Sequence, residues 1–179
     1  MSTNLCIDSL VIALVGTKNI IAVSTVAGDP RYSLIADQVK SLRKVNFNAE
    51  AIYALNPSMV LASDFSSPKT RLALTKLDIE VKLVNYAQSI KDVENNLNHL
   101  GELLGAPTKA AEIIKTIQAT KQRSKKTEKL DALQYSANRY VNGQHSLISD
   151  ILQRSGFGRP SQMSENPQAG FLSSEFIIK

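Results

Sequence analysis

A chain of 179 residues, 43% of them hydrophobic and 21% charged, is long enough to bury one good core, or a complete small lobe with part of another. Its formal net charge of +5 makes the surface moderately basic, but the densest basic run, residues 121–129, ends a predicted helix and carries no interleaved aromatics, which argues against nucleic acid as a partner. One cysteine excludes an intramolecular disulfide, two histidines leave no metal-ligand cluster, no apolar run is long enough to span a bilayer, and the first residues carry no export-signal pattern.

Residues 5–14 carry apolar side chains dense enough for a buried helix that Gly16 is placed to end, and Cys6 within it is expected to be buried. Residues 20–23 read as a strand. Asp29 and Pro30 open the next predicted helix as cap and first-turn residue, with Leu34, Ile35 and Val39 facing inward. A short helix around Ala51, Ile52 and Leu55 stops at Pro57 and runs into an apolar strand over residues 59–62. Ser66, Ser67 and Pro68 restart a helix through Leu72, Leu74 and Leu77, and residues 79–84 alternate as a strand. Helix and strand recur at roughly thirty residues, the spacing a right-handed parallel crossover sheet needs.

From Ser89 the pattern becomes helical. Ile90, Val93, Leu97, Leu100, Leu103 and Leu104 share a face, and Ser89 with Asp92 forms a capping-box variant. Residues 105–107 break this helix; Thr108 then caps a second one, with Ala111, Ile114 and Ile117 inward and a charged tail reaching about Leu130. Such a rod either bridges two lobes or packs as an ordinary helix of one domain; periodicity allows both. Residues 132–135 read as a strand, 138–143 as a turn-rich loop, 146–152 as a helix closed at Ser155 and Gly156, and 158–170 as loop. Ser173, Ser174 and Glu175 precede Phe176 as a last helix start. The domain reading is an α/β lobe over 1–88, a helical connector over 89–130 and a partial α/β lobe over 131–179.

Glu50, in the first turn of its helix, is favoured there by the unpaired amides and the dipole, and is equally available to an external cation. Tyr140 is the candidate for stacking on a planar ligand, with Phe47 and Phe171 as apolar walls; ordinary packing is the alternative for each aromatic. Arg139 and Lys44 are either solvated surface cations or partners for an anion.

In its order of short motifs the chain resembles the class III periplasmic substrate-binding proteins of ABC importers, the iron-siderophore, haem and cobalamin group. The matching pieces are Asn4 to Asp8, Ile20 to Ser24, Asn48 to Ile52 with Leu55 to Leu61, Leu100 to Gly105, Tyr135 to Gly143, Leu147 to Gly156 and Gly170 to Glu175. The resemblance implies a Rossmann-like parallel-sheet N-terminal lobe, a long connecting helix and an incomplete second α/β lobe, with ligand held in the cleft between lobes. It assigns Glu50 and Glu175 to docking on arginines of an inner-membrane ABC permease. It places Asn4, Leu5, Lys44, Phe47, Asp64, Phe65, Arg139, Tyr140 and Phe171 on loops facing the ligand, a ferric siderophore, haem or cobalamin. Val26 and Lys44 stand where cobalamin binders present aromatics, and the chain lacks Trp, which weighs against a corrinoid.

The resemblance further implies a periplasmic full-length parent of which this chain is a truncated form, with sheet edges exposed to homo-oligomerisation. Two other readings stand beside transport. A binding-incompetent remnant acting as an interaction module is the first. A nucleotide-binding α/β enzyme is the second, and it would need a G-x-G-x-x-G turn or a P-loop; neither occurs, and no paired acid and base is present, so catalysis is not expected.

Overall fold

The computed structural model describes residues 1–121, 130–136, 138–160 and 170–171. They form two compact units. The first takes Met1–Tyr86 and Asn96–Ala110, the second Ala87–Asn95 and Ala111–Lys179.

In the first unit, helix α1 (Leu5–Val15) starts at Asn4, whose side chain accepts from the Ile7 amide, and ends at Gly16, whose φ of 65° is readily adopted without a Cβ. Strand β1 (Ala22–Ser24) pairs in parallel with β2 (Arg43–Val45), and β3 (Val60–Ser63) pairs in parallel with β4 (Val81–Val84). Residues 1–3 join the two pairs: the Ser2 amide donates to Ala22 O at 3.4 Å, and Met1 O accepts from the Leu61 amide at 2.8 Å. The sheet therefore runs β2, β1, the bridge at Ser2, β3, β4. Between β2 and β3 lies α2 (Ala49–Tyr53), capped by Asn48, and between β3 and β4 lies α3 (Pro68–Lys76), capped by Ser67 with Pro68 at its first turn. The expected α/β class with a parallel sheet is what the chain adopts.

Two apolar clusters hold this sheet. Ile12, Val23, Ala27, Ile35 and Val39 pack on one another with Leu5, Ile20 and Leu42 beside them. Ile52, Val60, Leu74 and Ile79 form the other, with Met1, Val45, Phe47 and Val81 against it.

Several local expectations are corrected. Residues 30–41 form successive turns and no α-helix: Ser33 Oγ takes the Ile35 amide, and Asp29 accepts from Arg31, so the cap expected of Asp29 becomes a local turn. Ile35 and Val39 face inward as expected, whereas Leu34 is fully exposed. Strand β2 falls where a loop was expected, because Arg43-Lys44-Val45 is an edge strand without apolar alternation. On α3 only Leu74 is buried; Leu72 and Leu77 are exposed. Cys6 is exposed, on the solvent side of α1.

Helices α4 (Ile90–Leu103) and α5 (Pro107–Lys121) each contribute to both units. Ser89 and Asp92 form the expected reciprocal cap: Asp92 N donates to Ser89 Oγ at 3.1 Å and Ser89 Oγ to Asp92 Oδ2 at 2.8 Å. Leu97 and Leu100 are fully buried. Helix α5 begins at Pro107, one residue before the expected cap at Thr108, as suits a residue with no N–H to leave unsatisfied; Ala110 is its buried residue, and Ala111 is exposed.

In the second unit, α6 (Leu147–Arg154) is capped by Ser146 and closed at Ser155. Strand β5 (Tyr140–Val141) pairs antiparallel with β6 (Gly170–Phe171), inside stretches that read as loop. The strand expected over 132–135 is reduced to bridges at Asp131 and Tyr135. The helix expected after Ser173, with Glu175, lies outside the described residues.

Candidate functional site

Ligands of open α/β sheets sit beyond the carboxyl ends of the parallel strands, because loops and their side chains converge there. In the first unit those ends carry Thr25 after β1, Asn46 after β2, Asp64 and Phe65 after β3, and Asn85 and Tyr86 after β4. Thr25 Oγ1 donates to Asn46 Oδ1 at 3.2 Å. Asp64 organises the β3 and β4 ends: Oδ1 accepts from the Phe65 amide at 3.0 Å and Oδ2 from the Tyr86 amide at 3.3 Å. Asn96 of α4 donates to Asn85 O at 2.7 Å and fixes the same turn from behind.

This arrangement brings Phe65 and Tyr86 edge to face, with ring centroids 5.1 Å apart and planes at 86°. Both rings are largely in water, Phe65 at 76% and Tyr86 at 51% exposure. An aromatic pair left this open serves no core; it presents faces and edges on which a planar apolar ligand can stack.

The loop after β1 is set by a buried carboxylate. Asp8 of α1 is wholly buried and accepts from the Ser2 hydroxyl, from the Ser24 amide at 3.1 Å and from the Ser24 hydroxyl at 2.5 Å. Ser24 Oγ in turn accepts from the Ala27 amide, capping the 3-10 turn Thr25–Gly28. Burial raises the Asp8 pKa, and its hydroxyl and amide donors oppose that rise.

Lys44, expected to meet an anionic ligand, is otherwise engaged. Its ammonium donates to Val39 O at 2.6 Å, Lys40 O at 2.7 Å and Leu42 O at 2.7 Å, which uses all three of its protons to close the end of the 34–42 turns. The Lys44 stem also lies against Gly28, where a Cβ would come within 2.9 Å of its Cε. Phe47 packs on the Ile52 cluster and Leu5 on the Ile12 cluster, so these two candidates serve the core; Asn4 is committed to capping α1. Of the first unit's candidates, Asp64 and Phe65 come together, and the sequence reading missed their partner Tyr86. The signal was available: Tyr86 lies two residues beyond Val84, the end of its strand.

In the second unit Tyr140 and Phe171 face each other across the β5–β6 pair, 5.7 Å between centroids and 72° between planes, Tyr140 at 36% and Phe171 at 76% exposure. Arg139 is exposed beside them and holds a positive φ of 59°, its amide donating to Ser136 O at 2.9 Å. These three candidates are neighbours in the second unit.

Glu50 is exposed on α2 and joins no salt bridge among the described residues. It lines a shallow groove between α2 and α3 together with Ala49, Tyr53, Ala73, Lys76 and Leu77. Among the described residues no group of three or more His, Cys, Asp or Glu is placed to hold a metal ion, and no helix is long and apolar enough to cross a membrane.

The family described as periplasmic binding protein matches residues 1–179, and the chain belongs to it. It is 30% identical over 131 residues to YvrC of Bacillus subtilis (strain 168), described as an uncharacterized ABC transporter substrate-binding lipoprotein. That match covers 64% of this chain and 42% of YvrC, so it spans less than half the length of this relative. Two solved structures share the fold. A possible iron-binding (periplasmic solute-binding) protein of Staphylococcus epidermidis superposes with a TM-score of 0.80 at 20% identity, over 99% of this chain and 72% of that one. The periplasmic heme-binding protein HutB of Vibrio cholerae gives 0.81 at 19% identity, over 99% and 70%.

Proposed function

We propose that this chain is the ligand-capturing part of an ABC importer on the periplasmic side, taking a planar or aromatic-rich metal chelate for delivery to a membrane permease. The observation that carries this reading is the Phe65–Tyr86 pair, held open to solvent at the carboxyl edge of a parallel sheet by Asp64. A porphyrin or aromatic siderophore matches such a pair through its apolar faces, and the exposed Tyr140–Phe171 pair of the second unit offers a like surface. Two proteins with the same fold, described as possibly iron-binding and as heme-binding, support the choice of chelate. The role proposed is binding, in which Asp64, occupied with the backbone amides of Phe65 and Tyr86, positions the aromatic pair. Glu50, exposed on the wall of the α2–α3 groove, is the candidate contact for a permease cation.

Haem, a ferric catecholate and cobalamin are titrated separately against the chain, following the haem absorption band and the quenching of tyrosine emission, which no Trp obscures. Saturable binding of one of them, weakened in Phe65→Ala and Tyr86→Ala, is the expected outcome. Absence of saturation with all three, or binding indifferent to both substitutions, overturns the reading.

A further inference from the structure

The two parallel strand pairs of the first unit are set in register by residues 1–3. Ser2 pairs with Leu61, and its amide donates to Ala22 O at 3.4 Å, which seats Ser2 beside Val23 as well. Ser24 pairs with Val45, so Thr25 and Asn46 leave the sheet level with Ser63, the last residue of β3, and just below Phe65. Neighbouring strands lie about 4.8 Å apart, which puts Thr25 about 10 Å and Asn46 about 14 Å along the carboxyl edge from the end of β3.

Asn46 is exposed, and one bond orients its amide: Thr25 Oγ1 donates to Asn46 Oδ1 at 3.2 Å. The two Nδ2 protons are thereby turned away from Thr25, and they have no hydrogen-bond partner among the described residues. The charge around them selects the kind of acceptor they can meet. Of the residues that follow the four strands, 25–28, 46–48, 64–66 and 85–86, Asp64 is the one charged side chain. Lys44, the cation nearest Asn46 in sequence, spends its three protons on Val39 O, Lys40 O and Leu42 O. A carboxylate arm laid along this edge would give up water, meet no cation and approach an acid. An ester or amide carbonyl gives up far less on leaving water and can take an Asn46 proton.

We infer that the carboxyl edge of the first unit selects its ligand by an uncharged acceptor. A planar body stacks on Phe65 and Tyr86, while a carbonyl oxygen of an ester or amide arm, about 10–14 Å along the edge, accepts from Asn46 Nδ2, which Thr25 holds in place. This deepens the reading of the aromatic pair as a stacking platform and rests on it. Stacking alone takes any flat apolar body and separates one chelate from another only weakly. Asn46 supplies the discrimination that the rings lack. Its worth is that of one exposed hydrogen bond, about threefold to tenfold in affinity.

The test uses three porphyrins that share a flat macrocycle and differ in their arms: etioporphyrin with alkyl arms only, mesoporphyrin dimethyl ester with ester carbonyls, and mesoporphyrin with carboxylates. Each is titrated against the chain at one fixed detergent concentration, following porphyrin fluorescence. The ester is expected to bind about threefold to tenfold more tightly than etioporphyrin, and the acid less tightly than the ester. Asn46→Ala, and Asn46→Asp, which keeps the shape and removes the donors, should erase the ester's advantage and leave etioporphyrin unchanged. Thr25→Val should reduce that advantage and Thr25→Ser should retain it, whereas Phe65→Ala should weaken all three porphyrins alike. Acid bound as tightly as ester, or more so, overturns the uncharged assignment. If Phe65→Ala weakens binding but the ester has no advantage, or keeps it in Asn46→Ala chain of native circular dichroism, the selection is overturned and the platform stands. Should Asn46→Ala fail to fold, an undiminished ester preference in Thr25→Val overturns the selection instead. Absence of binding by all three, or binding indifferent to Phe65→Ala, overturns the platform and the selection with it.

Discussion

Asp64 at the end of β3 accepts the backbone amide of Tyr86 at the end of β4, 3.3 Å away, and thereby fixes the spacing of the exposed Phe65–Tyr86 pair. The same carboxylate takes the Phe65 amide, so one side chain sets both aromatic positions.

Asp64→Ala should therefore lower affinity for the planar chelate with little loss of fold. The bonds it removes are exposed, and the expected destabilisation is about 1 kcal/mol. Affinity should fall about tenfold, the equivalent of one edge-to-face aromatic contact, about 1.4 kcal/mol. Haem titration alongside urea unfolding of the same preparation checks both. A drop in stability with unchanged affinity would assign Asp64 to structure alone.

Asp8 makes a prediction about pH. Its folded pKa is raised, chiefly by burial, so the native state holds its proton more tightly than the unfolded chain. The stabilising contribution is full below the unfolded value, about 3.9, and is lost as the pH rises through the folded value. Asp8→Asn removes this titration. The stability difference between the variant and the wild type should thus shift in the variant's favour as the pH climbs from about 4 toward 7. Asp29, held at about 2 by Arg31, has the opposite sign, contributing above its unfolded value and losing that as the pH falls. It is common to both proteins and drops out of the difference. Urea midpoints measured across the series decide; a difference independent of pH would refute the assignment.

Leu74 and Leu72 separate burial from pattern. Leu74 is fully buried against Ile52, Val60 and Ile79, and Leu74→Ala should cost about 2–5 kcal/mol. Leu72, on the same helix, is 58% exposed, and Leu72→Ala should fall within about 0.5 kcal/mol of wild type. Chemical denaturation of the two variants gives the comparison directly.

These leucines also mark what could be read from the chain alone. Capping signals were legible because they are local chemistry: Asn48, Ser67, Ser146 and the Ser89–Asp92 pair all cap where their residue types place them. That the sheet is parallel was legible from the helix and strand spacing. Burial on a short helix was not, since three leucines within six positions cannot all face one sheet. Edge strand β2 and the two-residue strands β5 and β6 were hidden, because pairing there comes from distant backbone and not from apolar alternation. At the candidate site, Asp64, Phe65, Tyr140 and Phe171 were named from motif position. Lys44 was misread because its carbonyl partners belong to turns the sequence presented as helix.

Gly101 gives a prediction that helix propensity alone would get backwards. It sits within α4, where replacing Gly by Ala ordinarily stabilises a helix by about 1 kcal/mol. Here a Cβ would lie 2.7 Å from the Ala110 Cβ and 3.3 Å from Ala106 O, so the α4 and α5 backbones approach each other through the space the missing methyl leaves. Neither neighbour is the tip of a flexible chain. Relief requires the helices to part, and Ala110, itself buried, would lose its packing. Gly101→Ala should then destabilise by about 1–3 kcal/mol, the usual cost of overpacking. Thermal and urea unfolding of Gly101→Ala beside Ala110→Gly and the double variant tests the contact. Ala110→Gly should cost stability alone yet recover part of the loss when combined with Gly101→Ala, because it removes the methyl that the new one strikes. Additive losses in the double variant would show that the two positions do not meet.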